Sequence, residues 1–377
     1  MDRLDIPTRV TITLRALGDV RAMELNETRR IYGGLRGLLD ALWRIHTRDE
    51  FAILGVVVAT DGSTYQKPGT LVLLDAHGLR HGVISGGCLE PALEHAARDV
   101  YSTRRAATVD FDTRSDEDLL FGSGIGCRGR VQLLLLPLPP QAPLARALFD
   151  ALDRGVTLEL SLAITGENTG AGVAIFAAEP AMTHSAIRWD ATGRTSAADI
   201  SAPTANVHIA PPPRLLLLGA GPETPPFAAF ARRLGWFVNV VEHRGRWSGF
   251  AQEAQIDRHF DLAPEVATVS LLKERVDAIV VMSHNFAIDL AYLRFCASSG
   301  AAYVGLLGPR ARCDALLAEL SSTDVERLKP RLHAPVGLDL GGQGPEAIAL
   351  AIASELQQRF SGHASAIANR AMISEHA

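Results

Sequence analysis

Beyond residue 213 the chain settles into a regular alternation. Short apolar runs at Arg214–Leu218, Phe237–Glu242, Ala278–Met282 and Tyr303–Leu307 are separated by stretches of helical spacing that reach Leu234, Arg275, Ser298 and Leu320. Strands separated by helices pair in parallel through right-handed crossovers, and few architectures accommodate such a series. Arg214-Leu215-Leu216-Leu217-Leu218 is apolar throughout after its first residue, as a buried strand is. A last helix is expected from Glu346 to Phe360, after a turn rich in glycine, with a loose tail beyond Ser361.

The first of these strands ends in Gly219-Ala220-Gly221, and Glu242 closes the next strand 21 positions after Gly221. That spacing matches a dinucleotide-binding βαβ unit, in which an acidic residue about 20 positions on holds the ribose. The predicted fold of this part is therefore Rossmann-like. The turn itself is unusual, because Thr224 stands at the third glycine position, followed by Pro225 and Pro226, with Pro222 inside the turn. Proline has no N–H, and a pyrophosphate is held through the free N–H groups of a helix start. We expect Thr224 to be the N-cap and any pyrophosphate to bind weakly. Ser283-His284-Asn285 follows the strand Ala278–Met282 and belongs at the same crevice, where His284 is a candidate to contact a ligand or move a proton; a helix-capping role is equally open. Asp289, one turn further on, is expected to face solvent.

The first half is expected to form one mixed α/β domain over residues 1–189. Its first 25 or so residues show no clear period. Apolar residues at 31, 35, 38, 39, 42 and 45 predict an amphipathic helix over Arg30–Arg48. Phe51–Thr60 and Thr70–Leu74 read as a strand and its return, joined by a loop carrying Ser63 to Gly69. A strand near His81–Ile84, the turn Ser85-Gly86-Gly87-Cys88 and a helix over Leu89–Tyr101 follow. Strands near Ala107–Phe111 and Arg130–Leu136 bracket the glycine-rich segment Phe121–Gly129. A helix near Leu144–Leu152 and strands near Leu158–Ile164 and Val173–Ala177 complete the half. Residues 190–213 contain no leucine and no aromatic residue and end in three prolines, so a linker is expected there, with 214–377 as the second domain.

Composition excludes several classes. The 37 basic and 42 acidic side chains give a net charge of −5, which offers no general attraction to nucleic acid. The longest uncharged stretches, Val131–Ala145 and Phe295–Pro309, are 15 residues each and interrupted by Pro, Gly or Ser, too short and too broken to span a membrane. Charges among the first ten residues argue against a secretory leader, and a cytoplasmic protein is expected. The four cysteines form no C-x-x-C pair, which disfavours a disulfide framework and a structural zinc site.

Two of those cysteines stand in glycine loops. Cys88 follows Gly86 and Gly87 and directly precedes a helix, whose amino-terminal field favours a thiolate. Cys127 lies between Gly126 and Arg128 in a loop able to turn successive N–H groups toward an anion. For each thiol alone, a small buried hydrophobe is the competing assignment. Cys296 and Cys313, among apolar neighbours on predicted helices, read as packing residues.

Together the segments GVVVATDGSTYQKPG, GVISGGCLE, FGSGIGCRG, RLLLLGAG, VVMSH, AAYVGLLGPRAR and APVGLDLGGQGPEAIALAIASEL, in this order over about residues 35–357, resemble the XdhC/CoxI family of xanthine dehydrogenase accessory factors. The resemblance implies a chaperone that binds the molybdenum cofactor (molybdopterin), supports its sulfuration and hands it to a xanthine-dehydrogenase-type molybdoenzyme, without needing to catalyse a reaction itself. It leaves open a cysteine desulfurase as a further partner and a homodimer. On it, Cys88 and Cys127 contact the metal or its sulfur, while Lys67, Arg128 and loop amides of Gly86, Gly87 and Gly126 hold the phosphate. Thr64-Tyr65-Gln66-Lys67 departs from the Ala-Pro-Arg-Arg of many members, and Asn285 stands where aspartate is frequent. The competing expectation is an NAD(P)-dependent oxidoreductase, with Gly219, Gly221 and Glu242 holding the nucleotide and His284 as proton donor.

Overall fold

The computed structural model describes residues 33–75, 77–112, 129–177, 186–198, 204–271 and 275–374. The described residues divide into two compact units, one within residues 37–211, the other of residues 33–36 and those from 212 on. Among the described residues no helix is long and apolar enough to cross a membrane.

In the first unit the apolar stripe of helix α1 (Gly34–Thr47) buries Leu38, Leu39, Leu42 and Ile45. Strands β1 (Ala52–Gly62), β2 (Leu71–Asp75) and β3 (Gly78–His81), helix α2 (Glu90–Thr103), and strands β4 (Ala107–Asp112) and β5 (Gly129–Leu138) follow. They build a five-stranded sheet of order β3-β2-β1-β5-β4, antiparallel at every pairing. One face carries Ile53, Val57, Val72, Leu74, Leu133 and Leu135, on which α2 seats Leu93, Ala97 and Val100. The residues between them, Leu54, Val56, Leu73, Leu134 and Leu136, are buried as well. Both faces are therefore covered, which is why these strands read as apolar runs with no alternation.

Helix α3 (Pro143–Arg154) leads into strands β6 (Leu158–Ala163), β7 (Gly172–Phe176), β8 (Ile187–Trp189) and β9 (Thr204–Ile209). These form a second antiparallel sheet of order β8-β7-β6-β9. The linker expected over residues 190–213 is thus corrected, since β9 pairs with β6 from Ile209 opposite Leu158 to Thr204 opposite Ala163. The alternation of Val207 and Ile209 inward with polar residues outward was hidden by the Ala-, Ser- and Pro-rich flanks. Strand β8 is fixed by one fit: a side chain on Gly172 would collide with the Trp189 ring at 2.1 Å, and the indole N–H donates to the Gly170 carbonyl at 2.9 Å.

The second unit follows the predicted alternation and adds to it. Its elements are β10 (Arg214–Leu218), α4 (Thr224–Leu234), β11 (Phe237–Val241), α5 (Gly245–Glu253), β12 (Arg258–Phe260), α6 (Pro264–Leu271), β13 (Ala278–Val281), α7 (Phe286–Ser298), β14 (Tyr303–Leu306), α8 (Arg310–Ala318), α9 (Ser322–Leu328), β15 (Leu332–His333) and α10 (Pro345–Ser374). The six strands are all parallel, in the order β12-β11-β10-β13-β14-β15. Counted within the unit this is 3-2-1-4-5-6, the order of dinucleotide-binding α/β folds. Leu216 and Leu218 point into a core with α7, α8 and α9, whereas Leu215 and Leu217 point into one with α4 and α10. The final helix continues to Ser374, past Ser361, where a loose tail was expected. Residues 33–36 join this unit through Arg36, which donates to the Trp236 carbonyl at 2.7 Å and pairs with Asp257.

Candidate functional site

Antiparallel pairing brings the motif loops of the first unit to one rim of its five-stranded sheet. Gly62 stands opposite Gly129, Asp112 opposite Arg130, and His81 opposite Leu73 near the start of β2. The β1–β2 connection (63–70), the β3–α2 connection (82–89) and the entry to β5 therefore share an edge. The first two are tied directly, as the Gln66 amide donates to the Val83 carbonyl at 2.9 Å and accepts from the Thr70 hydroxyl at 3.3 Å. Gly129 has no room for a side chain, because its Cβ would lie 2.4 Å from the Ser63 carbonyl oxygen.

The turn before α2 is held from below by Glu90. Its buried carboxylate accepts the Ile84 and Ser85 N–H groups on one oxygen, at 3.1 and 3.0 Å, and the Ser85 hydroxyl on the other. Ser85 Oγ in turn accepts from the Gly87 and Leu89 N–H groups at 3.2 and 3.1 Å. Burial alone would raise the Glu90 carboxyl, but the hydrogen bonds from Ser85 and Ile84 outweigh it and hold the group below its usual range. Above this base, Gly86, Gly87 and Cys88 are exposed, and a Cβ on either glycine would find no atom within 4 Å. Gly87 has φ +114°, a conformation that favours glycine.

Four expected site residues, Lys67, Gly86, Gly87 and Cys88, thus come to one rim and are all exposed. Gly126, Cys127 and Arg128 lie outside the described residues. Sequence reasoning did not select Tyr65, which is 62% exposed on the same loop as Lys67; the signal was an aromatic ring in an otherwise polar turn. Among the described residues no group of three or more His, Cys, Asp or Glu could hold a metal ion. Cys296 and Cys313 are buried as expected, and burial pushes the Cys296 thiol up to about 12.

In the second unit Gly219, Gly221, Glu242 and His284 converge at the carboxyl ends of the neighbouring strands β10, β11 and β13. Gly219, at φ +100°, allows the Ser283 backbone to approach, since its Cβ would lie 2.4 Å from Ser283 Cα. Gly221 is covered by side chains: its Cβ would lie 2.6 Å from Glu223 Oε2 and 2.9 Å from His284 Nε2. These two groups face each other at 3.4 Å, and the His284 ring stacks on Trp247 with centroids 6.2 Å apart. Burial would raise the Glu223 carboxyl, but the His284 contact and Glu223's own N–H lower it overall. The N-cap of α4 is Glu223, with Thr224 the first helical residue, one position from the expectation.

Glu242 is 1% exposed and fully engaged. Its Oε1 accepts the Arg244 N–H and Nε at 2.8 and 2.9 Å, and its Oε2 accepts the Ala220 N–H at 3.1 Å and Arg244 Nη2 at 2.5 Å. Burial raises this carboxyl less than the Arg244 and Ala220 bonds lower it. The helix-capping alternative for His284 falls to its neighbour, as Asn285 Oδ1 accepts the Ile288 N–H at 3.1 Å. Asp289, expected to face solvent, is instead completely buried. It accepts the Ser283 N–H at 3.0 Å and pairs with Arg312 at 2.7 Å. Its partner stands 23 residues on, beyond the reach of local pattern.

Both halves of the chain match known proteins. Residues 46–112 match the model of the XdhC and CoxI family, and residues 215–356 match that of the XdhC Rossmann domain. A Bacillus subtilis protein, named as a probable component of xanthine dehydrogenase, is 28% identical over 86% of this chain and 97% of its own length. The uncharacterized protein YqeB of Escherichia coli is 28% identical over 39% of this chain and 27% of itself. A crystal structure described as a xanthine dehydrogenase from Bacillus halodurans superposes with a TM-score of 0.70 at 26% identity, covering 87% of this chain and 96% of that one.

Proposed function

Because the chain belongs to the XdhC and CoxI family, we propose that it is an accessory protein of a xanthine-dehydrogenase-type molybdoenzyme, one that binds the molybdenum cofactor, supports its sulfuration and passes it on. The names of the Bacillus relatives support the association with xanthine dehydrogenase. The observation that carries the cofactor reading is the rim of the first unit, where an exposed thiol, ammonium group and aromatic ring stand on two loops joined by Gln66.

The donor set fits such a ligand. Molybdopterin joins a planar pterin to a soft dithiolene–metal end and a phosphate. Soft metals and sulfur prefer thiolate, whereas phosphate suits loop N–H groups and a cation. Cys88, together with Cys127, would serve the first. Lys67, Arg128 and the amides of Gly86, Gly87 and Gly126 would serve the second. The unfilled space over Gly86 and Gly87 admits close approach to the backbone. Tyr65 offers a flat apolar face to a heterocycle. The cofactor's own sulfurs would remain its main ligands, with Cys88 and Cys127 adding to them. A cysteine desulfurase that carries a persulfide would supply sulfur to the same exposed thiol: the Cys88 thiolate attacks the outer sulfur, the S–S bond breaks, and the desulfurase cysteine leaves as thiolate.

The test is titration of the purified protein with molybdenum cofactor, beside Cys88→Ser, Cys127→Ser and Lys67→Ala variants. Binding weakened about tenfold or more in each, a loss of about 1.4 kcal/mol, is the expected result. Unchanged affinity and unchanged support of sulfuration in Cys88→Ser would remove this cysteine from the scheme.

A further inference from the structure

The parallel sheet of the second unit has the strand order and glycine turn of dinucleotide-binding folds, yet its own residues occupy the groups that would hold such a ligand's pyrophosphate and ribose. We propose that this turn is closed by its own residues and takes no dinucleotide, the glycines serving contacts inside the protein.

Three observations carry the inference. The first is the pairing of the N–H groups from residue 219 to 227. Gly219 donates to the Val241 carbonyl at 2.9 Å, Ala220 to Glu242, Gly221 to Thr224 Oγ1 at 3.0 Å, Thr224 to the Gly221 carbonyl at 3.0 Å and Phe227 to the Glu223 carbonyl at 3.0 Å. The Glu223 N–H acts on its own carboxyl, lowering it, and Pro222, Pro225 and Pro226 have no N–H. Of the six N–H groups present, five are thus engaged inside the protein, and a pyrophosphate binds a helix start through just these groups.

The second is an anion already in place. The second glycine of such turns lets a pyrophosphate approach the backbone. Here that space is taken by Glu223 Oε2 and His284 Nε2, and the carboxylate sits at the positive end of α4. A phosphate would have to displace it or bear its repulsion. The third concerns the ribose. Glu242 holds the acidic position, but each of its oxygens already accepts two hydrogen bonds, which is the capacity of a carboxylate. Sequence spacing registers the acid and cannot register Arg244 folding back onto it. The role left to Gly219 is to let the Ser283 backbone pack against β10.

The experiment uses the full chain and two readouts, calorimetric titration with NAD, NADP and ADP, and hydrogen exchange of the amides at 219–227 with and without them. The expected result is no saturable heat up to about 1 mM nucleotide, and exchange rates in the turn altered less than about twofold. Saturable binding of any of the three below about 1 mM, or added protection confined to the turn, would overturn the proposal. Neither readout involves the rim of the first unit, so the molybdenum-cofactor reading stands or falls separately.

Discussion

Removing the Glu90 side chain isolates what holds the cysteine turn of the first unit. In Glu90→Ala the N–H groups of Ile84 and Ser85, in residues 1% and 8% exposed, lose their acceptor. A buried donor left without a partner costs about 1–3 kcal/mol, so the pair amounts to about 2–6 kcal/mol. The Ser85 hydroxyl adds little, because it keeps its role as acceptor for Gly87 and Leu89. Water entering behind the shortened side chain favours the lower half of the range, about 2–4 kcal/mol. For a unit of this size about 3 °C of melting temperature accompanies each kcal/mol, which gives a drop of about 6–12 °C in the transition of the first unit. Glu90→Gln separates bonding from charge. Both backbone donors converge on Oε1, and a glutamine carbonyl can accept both, so this variant is expected to lose only about 1 kcal/mol. Thermal unfolding followed by far-ultraviolet circular dichroism measures all three proteins. An alanine variant melting within about 1 °C of the parent, or a glutamine variant as unstable as the alanine one, would refute the reasoning.

Gly219→Ala places a Cβ 2.4 Å from Ser283 Cα at φ +100°, where neither backbone can yield cheaply. A loss of about 3 kcal/mol or more in the second unit is expected by urea denaturation, and a change under about 0.5 kcal/mol would contradict the close packing. Brief treatment of the native protein with iodoacetamide is expected to modify Cys88, which is exposed, and to spare the buried Cys296 and Cys313, as read by peptide mass mapping. Modification of Cys296 before Cys88 would contradict the burial. The Glu90, Glu223 and Glu242 carboxyls all lie below their unfolded values in the native state. Their stabilisation is therefore complete above the ordinary glutamate pKa of about 4.3 and is lost as pH falls through the native values. Melting temperature should be level from about pH 7 to 5.5 and fall below about pH 4, whereas a steady decline from pH 7 would point to other groups.

The parts of this molecule that were legible in its sequence are those decided by local chemistry. Leu215–Leu218 announced a strand buried on two sides, and the α1 stripe and the proline-led start of α4 follow from spacing and backbone rules alone. The elements that escaped notice are short or edge-bound: β12 and β15 span three and two residues, and α5 contains two glycines that blur its period. Side-chain partnerships were the harder part. The acid at Glu242 was visible, its saturation by Arg244 and Ala220 was not, and the burial of Asp289 depends on Arg312 reaching it from another helix. Spacing locates a group along the chain, while the free or occupied state of its lone pairs is settled only by folding.

The attachment of residues 33–36 to the second unit means that, along the chain, residues 37–211 are an insert between two of its parts. Arg36 and its partner Asp257 are 221 residues apart. At about 5–20 residues per second a ribosome releases the arginine roughly 10–45 s before the aspartate, so the insert emerges whole and has time to fold first. A single cut at residue 211 accordingly does not yield two intact pieces. The carboxy-terminal fragment would retain Asp257 and the Trp236 carbonyl without the guanidinium that joins them, and a sound dissection must carry the short segment back across the cut.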